Sequence, residues 1–300
     1  MTATVKRPTV VVLLSGGGFT GAFQVPILER FDVMGLRPHV VYGVSVGALN
    51  GVLYAQNAVP QLRDLWAGIN DSKPLFGING FLAPAVQRWK GLYSLEPLAK
   101  KIRKLTARSD LDCVFGVGVT VRETGAYRTL EFSGRSYDKT EKWWKDKKAA
   151  EDAELHTAIL GSSAIAGLME PYRMRLGGVD ATLSDGGHRH VLPPPPAMPA
   201  EDHPIEVHAV FNRPVGQVKL PPCKVDSLPE AFAWAIDTQM HAQAMADFEG
   251  LRAWVLAAPG LRRAHIYTPV EDPGSMLDAS AEAIERRMAA AKDLVPTTIG

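Results

Sequence analysis

The sequence predicts an α/β fold with a mainly parallel central sheet flanked by helices, on three observations. Thr9–Leu14 is an unbroken run of β-branched residues and leucine, as in a strand buried on both faces of a parallel sheet. The first 60 residues read as strand, loop, helix, strand, turn, helix, the order of a right-handed βαβ unit. Hydrophobic residues make up 46% of the 300, enough for a sizeable core, against 22% charged, an ordinary globular balance.

The elements follow in order. Gly21–Phe31 carries Phe23, Ile27, Leu28 and Phe31 at helical spacing. Pro26 inside it would remove a hydrogen bond at ~3 kcal/mol, so this helix starts late or bends. His39–Tyr42 supplies a second short strand and Ala48–Gln56 a second helix. Residues 60 to 105 are mixed. Cys113–Val121 is strongly β and Tyr127–Phe132 alternates, so Arg122-Glu123-Thr124-Gly125 reads as a hairpin turn. Ser136–Glu154 is a charged connection leading into a helix, and Leu155–Leu168 is a buried helix or its lead-in. Pro193–Pro196 is a stiff extended segment. Ile205–Phe211 and His265–Thr268 are expected strands, Leu228–Phe248 and Ala279–Leu294 expected helices. No Pro-rich stretch separates two complete hydrophobic patterns. One domain is therefore expected over 1–300, with a motif-bearing core at about 9–195 and C-terminal strands and helices at about 200–295.

Composition narrows the partners. A formal net charge of +1 produces no field that would favour nucleic acid, so none is expected. Cys113 and Cys223 are the only cysteines and lie in no metal-ligand pattern. Neither a disulfide framework nor a metal is expected, and a reducing compartment follows. The apolar run after Lys6 and Arg7 is too short for a secretory signal, and no stretch approaches the ~20 apolar residues of a membrane-spanning helix. The expected location is cytoplasmic, with peripheral membrane contact and export without a cleavable signal left open. Lys142-Trp143-Trp144-Lys145, with Lys147 and Lys148, suits a lipid headgroup layer and a solvated helix equally well. The oligomeric state is not legible.

Gly43-Val44-Ser45-Val46-Gly47 places a serine between a strand and a small-residue helix. At such a sharp turn, glycines two before and two after relieve crowding, and the serine oxygen projects into a site beside a helix N-terminus. Gly16-Gly17-Gly18-Phe19-Thr20-Gly21 follows the first strand, and its successive backbone N–H groups suit a phosphate or a developing oxyanion. Gly16, Gly18 and Gly21 also satisfy a dinucleotide fingerprint. That fingerprint expects an acidic residue at the end of the second strand, where Ser45 stands instead. Ser184-Asp185-Gly186-Gly187 alone would be a turn. A carboxylate held against a serine hydroxyl can however act as its base, and Gly186 and Gly187 would let the backbone approach the elbow. Asp180 is an alternative without that glycine context.

Together these motifs resemble the patatin-like phospholipase family. Besides the glycine loop, the elbow and Asp185-Gly186-Gly187, the likeness includes Gly161-Ser162-Ser163-Ala164-Ile165-Ala166-Gly167, Val191-Leu192-Pro193 and Leu92-Tyr93-Ser94 to Pro97-Leu98. It covers about residues 10 to 195, with a looser echo at Leu277-Asp278-Ala279-Ser280. Ala166 departs from the family's usual proline, and Pro26 is also unusual.

The resemblance implies a three-layer fold and a Ser–Asp dyad. Ser45 would attack the ester of a phospholipid, lysophospholipid or neutral lipid, and Asp185 would accept its proton. Gly16, Gly17, Gly18 and Phe19 would form the oxyanion hole. It implies no metal or organic cofactor, and calcium independence if the chain behaves like bacterial members. Three alternatives stay open. One is a catalytically silent lipid- or partner-binding module on the same fold, and another a nucleotide-binding oxidoreductase built on Gly16–Gly21. The third is a triad completed by a histidine after Asp185, among them His188, His190, His203, His208, His241 and His265. His188 and His190 are expected to be exposed.

Overall fold

The computed structural model describes residues 7–69, 77–78, 93–134, 144–197, 203–216 and 228–300. Leu92, the Lys142-Trp143 part of the tryptophan segment, the side chains of Trp144, Lys145 and Lys147, and Cys223 lie outside the described residues.

In chain order the elements are β1 (Thr9–Leu14), α1 (Gln24–Val33), β2 (Val40–Val44), α2 (Val46–Ala55), α3 (Val59–Ala67), the short pair β3 (Gly77–Ile78) and β4 (Tyr93–Ser94), and α4 (Glu96–Leu105). They continue as β5 (Val114–Val121), β6 (Ala126–Phe132), α5 (Trp144–Ser162), β7 (Tyr172–Leu176), β8 (Val179–Asp185) and β9 (Ile205–Val210). The chain closes with α6 (Leu228–Leu256), β10 (Arg262–Tyr267), α7 (Ala281–Ala291) and β11 (Thr297–Ile299).

The main sheet runs β11-β10-β9-β1-β2-β5-β8-β7, with β6 also pairing β5. Its centre, β10-β9-β1-β2-β5, is parallel throughout, and β11, β6, β8 and β7 add antiparallel margins. Strand periodicity sorts the core into two faces. Val12 and Leu14 pack with α1, α2 and α5, whereas Val11 and Leu13 join Val207, Ala209 and Ile266 beneath Ala244, Leu251 and Val255 of α6. The result is three layers, helix–sheet–helix. Among the described residues no helix is long and apolar enough to cross a membrane.

Local chemistry explains the departures from the sequence expectations. Gly18–Phe23 forms a 3-10 turn, and α1 begins only at Gln24. Pro26 thus falls in the first helical turn, where its missing N–H has no intrahelical partner to lose. The second strand continues to Val44 and the second helix starts at Val46, leaving Ser45 as the whole connection. The β7–β8 hairpin was not anticipated. Its two-residue turn, Gly177-Gly178, has φ of 57° and 86°, the geometry that hairpin twist favours.

This topology gathers one end of the sheet. Ser15 follows β1, Ser45 follows β2 and Asn212 lies just beyond β9, at the carboxyl ends of parallel strands where α/β folds place ligands. β8 runs the other way and stops at the same level. Val119 of β5 faces Asp185, and the adjacent Gly118 faces Val44.

Candidate active site

Ser45 is buried and strained, with φ of 54° and ψ of −123°. A non-glycine residue at positive φ persists only where its surroundings over-determine it. They do so here. A Cβ on Gly43 would sit 2.3 Å from Gly47 O, and one on Gly47 would sit 2.2 Å from Leu14 O. The Ser45 N–H donates to Ser162 Oγ at 2.8 Å, and its carbonyl accepts from Ala48 N at 2.9 Å at the start of α2. The positive end of that helix therefore faces the serine.

Asp185 terminates β8, is buried, and lies close enough to the Ser45 hydroxyl for that group to favour its ionised form. Its Oδ1 accepts from Gly187 N at 2.7 Å, and its own N–H donates to Ala164 O at 2.9 Å. A Cβ on Gly186 would lie 2.4 Å from Gly118 O, so glycine permits this strand end to reach the elbow. Burial pushes the Asp185 carboxyl above the usual carboxylate range. His188, the Ser45 hydroxyl and the Gly187 N–H pull the other way without cancelling it. Ser45 and Asp185 are neighbours in the site, brought together by the ends of β2 and β8.

The two neighbouring histidines are both half-buried. The Ala166 N–H donates to His188 Nε2 at 3.2 Å, a bond that the proline expected at 166 could not make. His190 Nδ1 meets Asp247 Oδ1 at 2.8 Å.

The glycine loop is tied down by its carbonyls. Ser15 O accepts from Gln24 Nε2 at 2.8 Å and Asn212 Nδ2 at 2.9 Å, and Gly16 O from the same Asn212 nitrogen at 3.1 Å. Gly17 O accepts from Thr20 Oγ1 at 2.6 Å, Phe19 O from Arg287 at 3.3 Å and Gly21 O from Asn50 Nδ2 at 3.0 Å. Two of the expected oxyanion donors are already engaged: Gly16 N–H bonds Val191 O at 2.8 Å and Phe19 N–H bonds Met276 O at 2.9 Å. The expectation that Gly16 and Phe19 donate to a substrate does not fit these bonds. Gly17 and Gly18, at φ of 148° and 55°, keep unspent N–H donors among the described residues.

Beside Ser45 opens an apolar cavity of about 60 Å³, lined by Trp66, Ile69, Leu98, Ile165, Met169 and Met276 among others. At ~10–15 Å³ per water-sized probe, it has room for a handful of methylene groups. Its polar exceptions are fixed: Asn50 Oδ1 accepts from Trp66 Nε1 at 2.9 Å, and Ser163 Oγ donates to Ile159 O at 3.1 Å.

Sequence reasoning named Ser45, Asp185, Gly43, Gly47, Gly186 and Gly187, and the fold brings them together. It named Ser162 only within a family-like segment, without a role, and missed Asn212, Arg287 and Asp247. Asp247 accepts from the backbone N–H groups of Val191 and Leu192 at 2.7 and 3.0 Å, and so holds the segment whose Val191 O receives the Gly16 N–H.

The family model described as "Patatin-like phospholipase" matches residues 12–200. Among solved structures, the chain is similar to VipD from Legionella pneumophila at 13% identity, covering 96% of this chain and 66% of that one, with a TM-score of 0.41. It is also similar to the type III effector protein ExoU at 13% identity, over 95% of this chain and 51% of that one, with a TM-score of 0.38. The chain therefore spans just under two thirds of the first and about half of the second. No curated protein matches it.

Proposed function

Because this chain belongs to the patatin-like phospholipase family, we propose that it is a lipid acyl hydrolase working through an acyl-enzyme on Ser45. Its substrates are carboxylic esters of phospholipids, lysophospholipids or neutral lipids. The observation that carries this reading is the juxtaposition of the strained Ser45 with a buried carboxylate, Asp185, beside an apolar cavity.

The chemistry follows from that arrangement. Ser45 Oγ attacks the ester carbonyl carbon while its proton passes to Asp185, a stronger base than an ordinary carboxylate because it is desolvated. The N–H groups of Gly17 and Gly18 hold the oxyanion, whose charge appears only on the way to the tetrahedral intermediate. The intermediate collapses, and the alcohol leaves with the proton from Asp185. Asp185 then takes a proton from water, the hydroxide attacks the acyl carbon, and the proton returns to Ser45 as the acid departs. The acyl chain lies against Trp66, Leu98 and Met169.

The test is labelling by a fluorophosphonate probe, with turnover of a short-chain nitrophenyl ester and of a phospholipid, in the wild type, Ser45→Ala and Asp185→Asn. Labelling and turnover present in the wild type and lost in both variants support the dyad. A wild type that neither labels nor turns over either substrate, with or without lipid vesicles, leaves a silent binding module as the better description.

A further inference from the structure

On β9 and β10, two and three strands away from β2, three side chains outside the proposed active site converge. Glu206 and His208 are two apart on β9 and share a face, and His265 of β10 is the direct register partner of His208. Glu206 Oε1 lies 3.0 Å from His265 Nε2 and 3.3 Å from His208 Nε2. One ligand atom from each residue falls within 4.8 Å of the others. From these placements we propose that Glu206, His208 and His265 bind one divalent transition-metal ion of the Zn2+ class.

Two features distinguish this cluster from a solvated ion pair. The first is that both imidazoles are oriented from behind. His265 Nδ1 meets Thr298 Oγ1 at 3.0 Å and His208 Nδ1 meets Tyr267 Oη at 3.3 Å, which turns both Nε2 atoms toward Glu206. Hydroxyl or carbonyl partners on the rear nitrogen are what ligating histidines use to fix tautomer and ring direction. The second is an orphan. His208 is only 5% exposed, yet its Nε2 has no hydrogen-bond partner among the described residues, because the 3.3 Å approach to Glu206 lacks hydrogen-bond geometry. A metal ion in the gap would give that atom a partner.

The donor set selects the ion. Two imidazoles and one carboxylate suit zinc and its neighbours and are too poor in oxygen for calcium or magnesium. Glu206 and His265 are partly exposed, so solvent can complete the coordination. The rings stack at 24° with centroids 4.8 Å apart. Arg263, the register partner of Glu206, and Arg30, over the Tyr267 ring, put positive charge nearby. They weaken the site without blocking it. Glu206 lies four residues before the β9 end that faces the glycine loop, about 13 Å along the strand. The proposal is therefore independent of the hydrolase reading.

The test uses untagged full-length protein stripped with a chelator and titrated with Co2+. The expected result is visible d–d absorption saturating at one ion per chain and displaced by Zn2+. Binding should weaken at least about tenfold in Glu206→Gln and in His265→Asn, by analogy with the ~10–100-fold losses caused by removing even outer-shell partners. His265→Asn is the decisive variant because its side chain is partly exposed; a Zn2+-dependent rise in Tm should occur in the wild type and vanish there. No stoichiometric binding by the wild type, or equal binding by the wild type and His265→Asn, would overturn the proposal and leave a Glu206–His265 hydrogen bond between β9 and β10.

Discussion

The backbone N–H of Ser45 is satisfied by the side chain of Ser162, 117 residues away. Ser162 Oγ accepts it at 2.8 Å and donates its own proton to Gly118 O at 2.5 Å. One hydroxyl thus clasps the strained elbow to β5. Two residues on, Ala164 O receives both Asp185 N, at 2.9 Å, and Ser184 Oγ, at 2.8 Å. The end of α5 therefore fixes Ser45 and Asp185 relative to one another.

Ser162→Ala should leave the Ser45 N–H and Gly118 O buried and unpaired, at ~1–3 kcal/mol each before relaxation. Relaxation would let Ser45 leave its positive φ, so acylation should suffer more than binding. The expected outcome is a fall in kcat and in the fluorophosphonate inactivation rate of roughly 10- to 100-fold, for ~1–3 kcal/mol of misplaced geometry, with KM within a few-fold. A lowered Tm with unchanged kcat would reduce Ser162 to a fold residue.

Asp185 should set both a pH limb and a stability limb. Activity requires its ionised form and its carboxyl is raised by burial, so kcat/KM should fall as pH drops through a value above the ordinary carboxylate range. The stability sign is opposite to that of a salt-bridged aspartate. With the folded pKa above the unfolded one, the unfolded chain binds fewer protons between the two values, and stability falls as pH rises through that window. Asp185→Asn removes the buried charge but keeps an acceptor for Ser45 and Gly187. It should be inactive and more stable at neutral pH, by ~0.5–2 kcal/mol or a few degrees of Tm. A melting temperature below that of the wild type would contradict the desolvation argument.

Adjacent glycines after Asp185 should respond differently to alanine. At Gly186 the new Cβ would meet the Gly118 carbonyl at 2.4 Å and Val44 Cγ1 at 3.1 Å, in packed β-structure that cannot yield. At Gly187 its nearest neighbour is Asp185 Oδ1, at 2.9 Å. Gly186→Ala should therefore lower stability by ~1–3 kcal/mol, as overpacking does, and push β8 off the elbow. Gly187→Ala should keep a near-normal Tm and lose activity through a displaced carboxylate. Thermal melts with ester turnover separate the two. Equal Tm losses would mean that Gly118 gives way more easily than its pairing suggests.

These contrasts show why some of the site was legible and some was not. Ser45 was readable because a side chain at φ of 54° demands glycines on either side, and that demand is written within five residues. Asp185 was readable because Gly186 and Gly187 travel with it. The order of β1, α1 and β2 followed from local periodicity. Ser162 stood in a family-like segment that gave it no role, and Asn212 and Arg287 carry no signature at all. Their partners lie 117, 197 and 268 positions away, and a serine, an asparagine or an arginine is ordinary in its own neighbourhood. The loop likewise gave no sign that Gly16 and Phe19 would be engaged by Val191 and Met276, since that depends on distant segments folding over it.

Arg287 is the most distant of these supports and yields the last prediction. It is 2% exposed and donates to four carbonyls: Pro273, Ser275 and Asp278 at 3.0, 2.8 and 2.7 Å, and Phe19 at 3.3 Å. The first three shape the segment whose Met276 O receives the Phe19 N–H, so one guanidinium pins the glycine loop directly and through Met276. Burial depresses it to about 10, still charged at neutral pH. Arg287→Met strands those carbonyls and should lower stability by on the order of 3–5 kcal/mol, a large loss for one side chain. Arg287→Lys discriminates better. A lysine offers a compact point charge instead of a fork, and from an ordinary value of ~10.4 the same burial pushes it toward losing its proton. The segment should stay folded while the loop loosens. Because the oxyanion forms only on the reaction path, kcat should drop about tenfold or more with KM nearly constant, measured well below the variant's Tm. An equal rise in KM at constant kcat would instead assign Arg287 to the cavity wall formed by Met276.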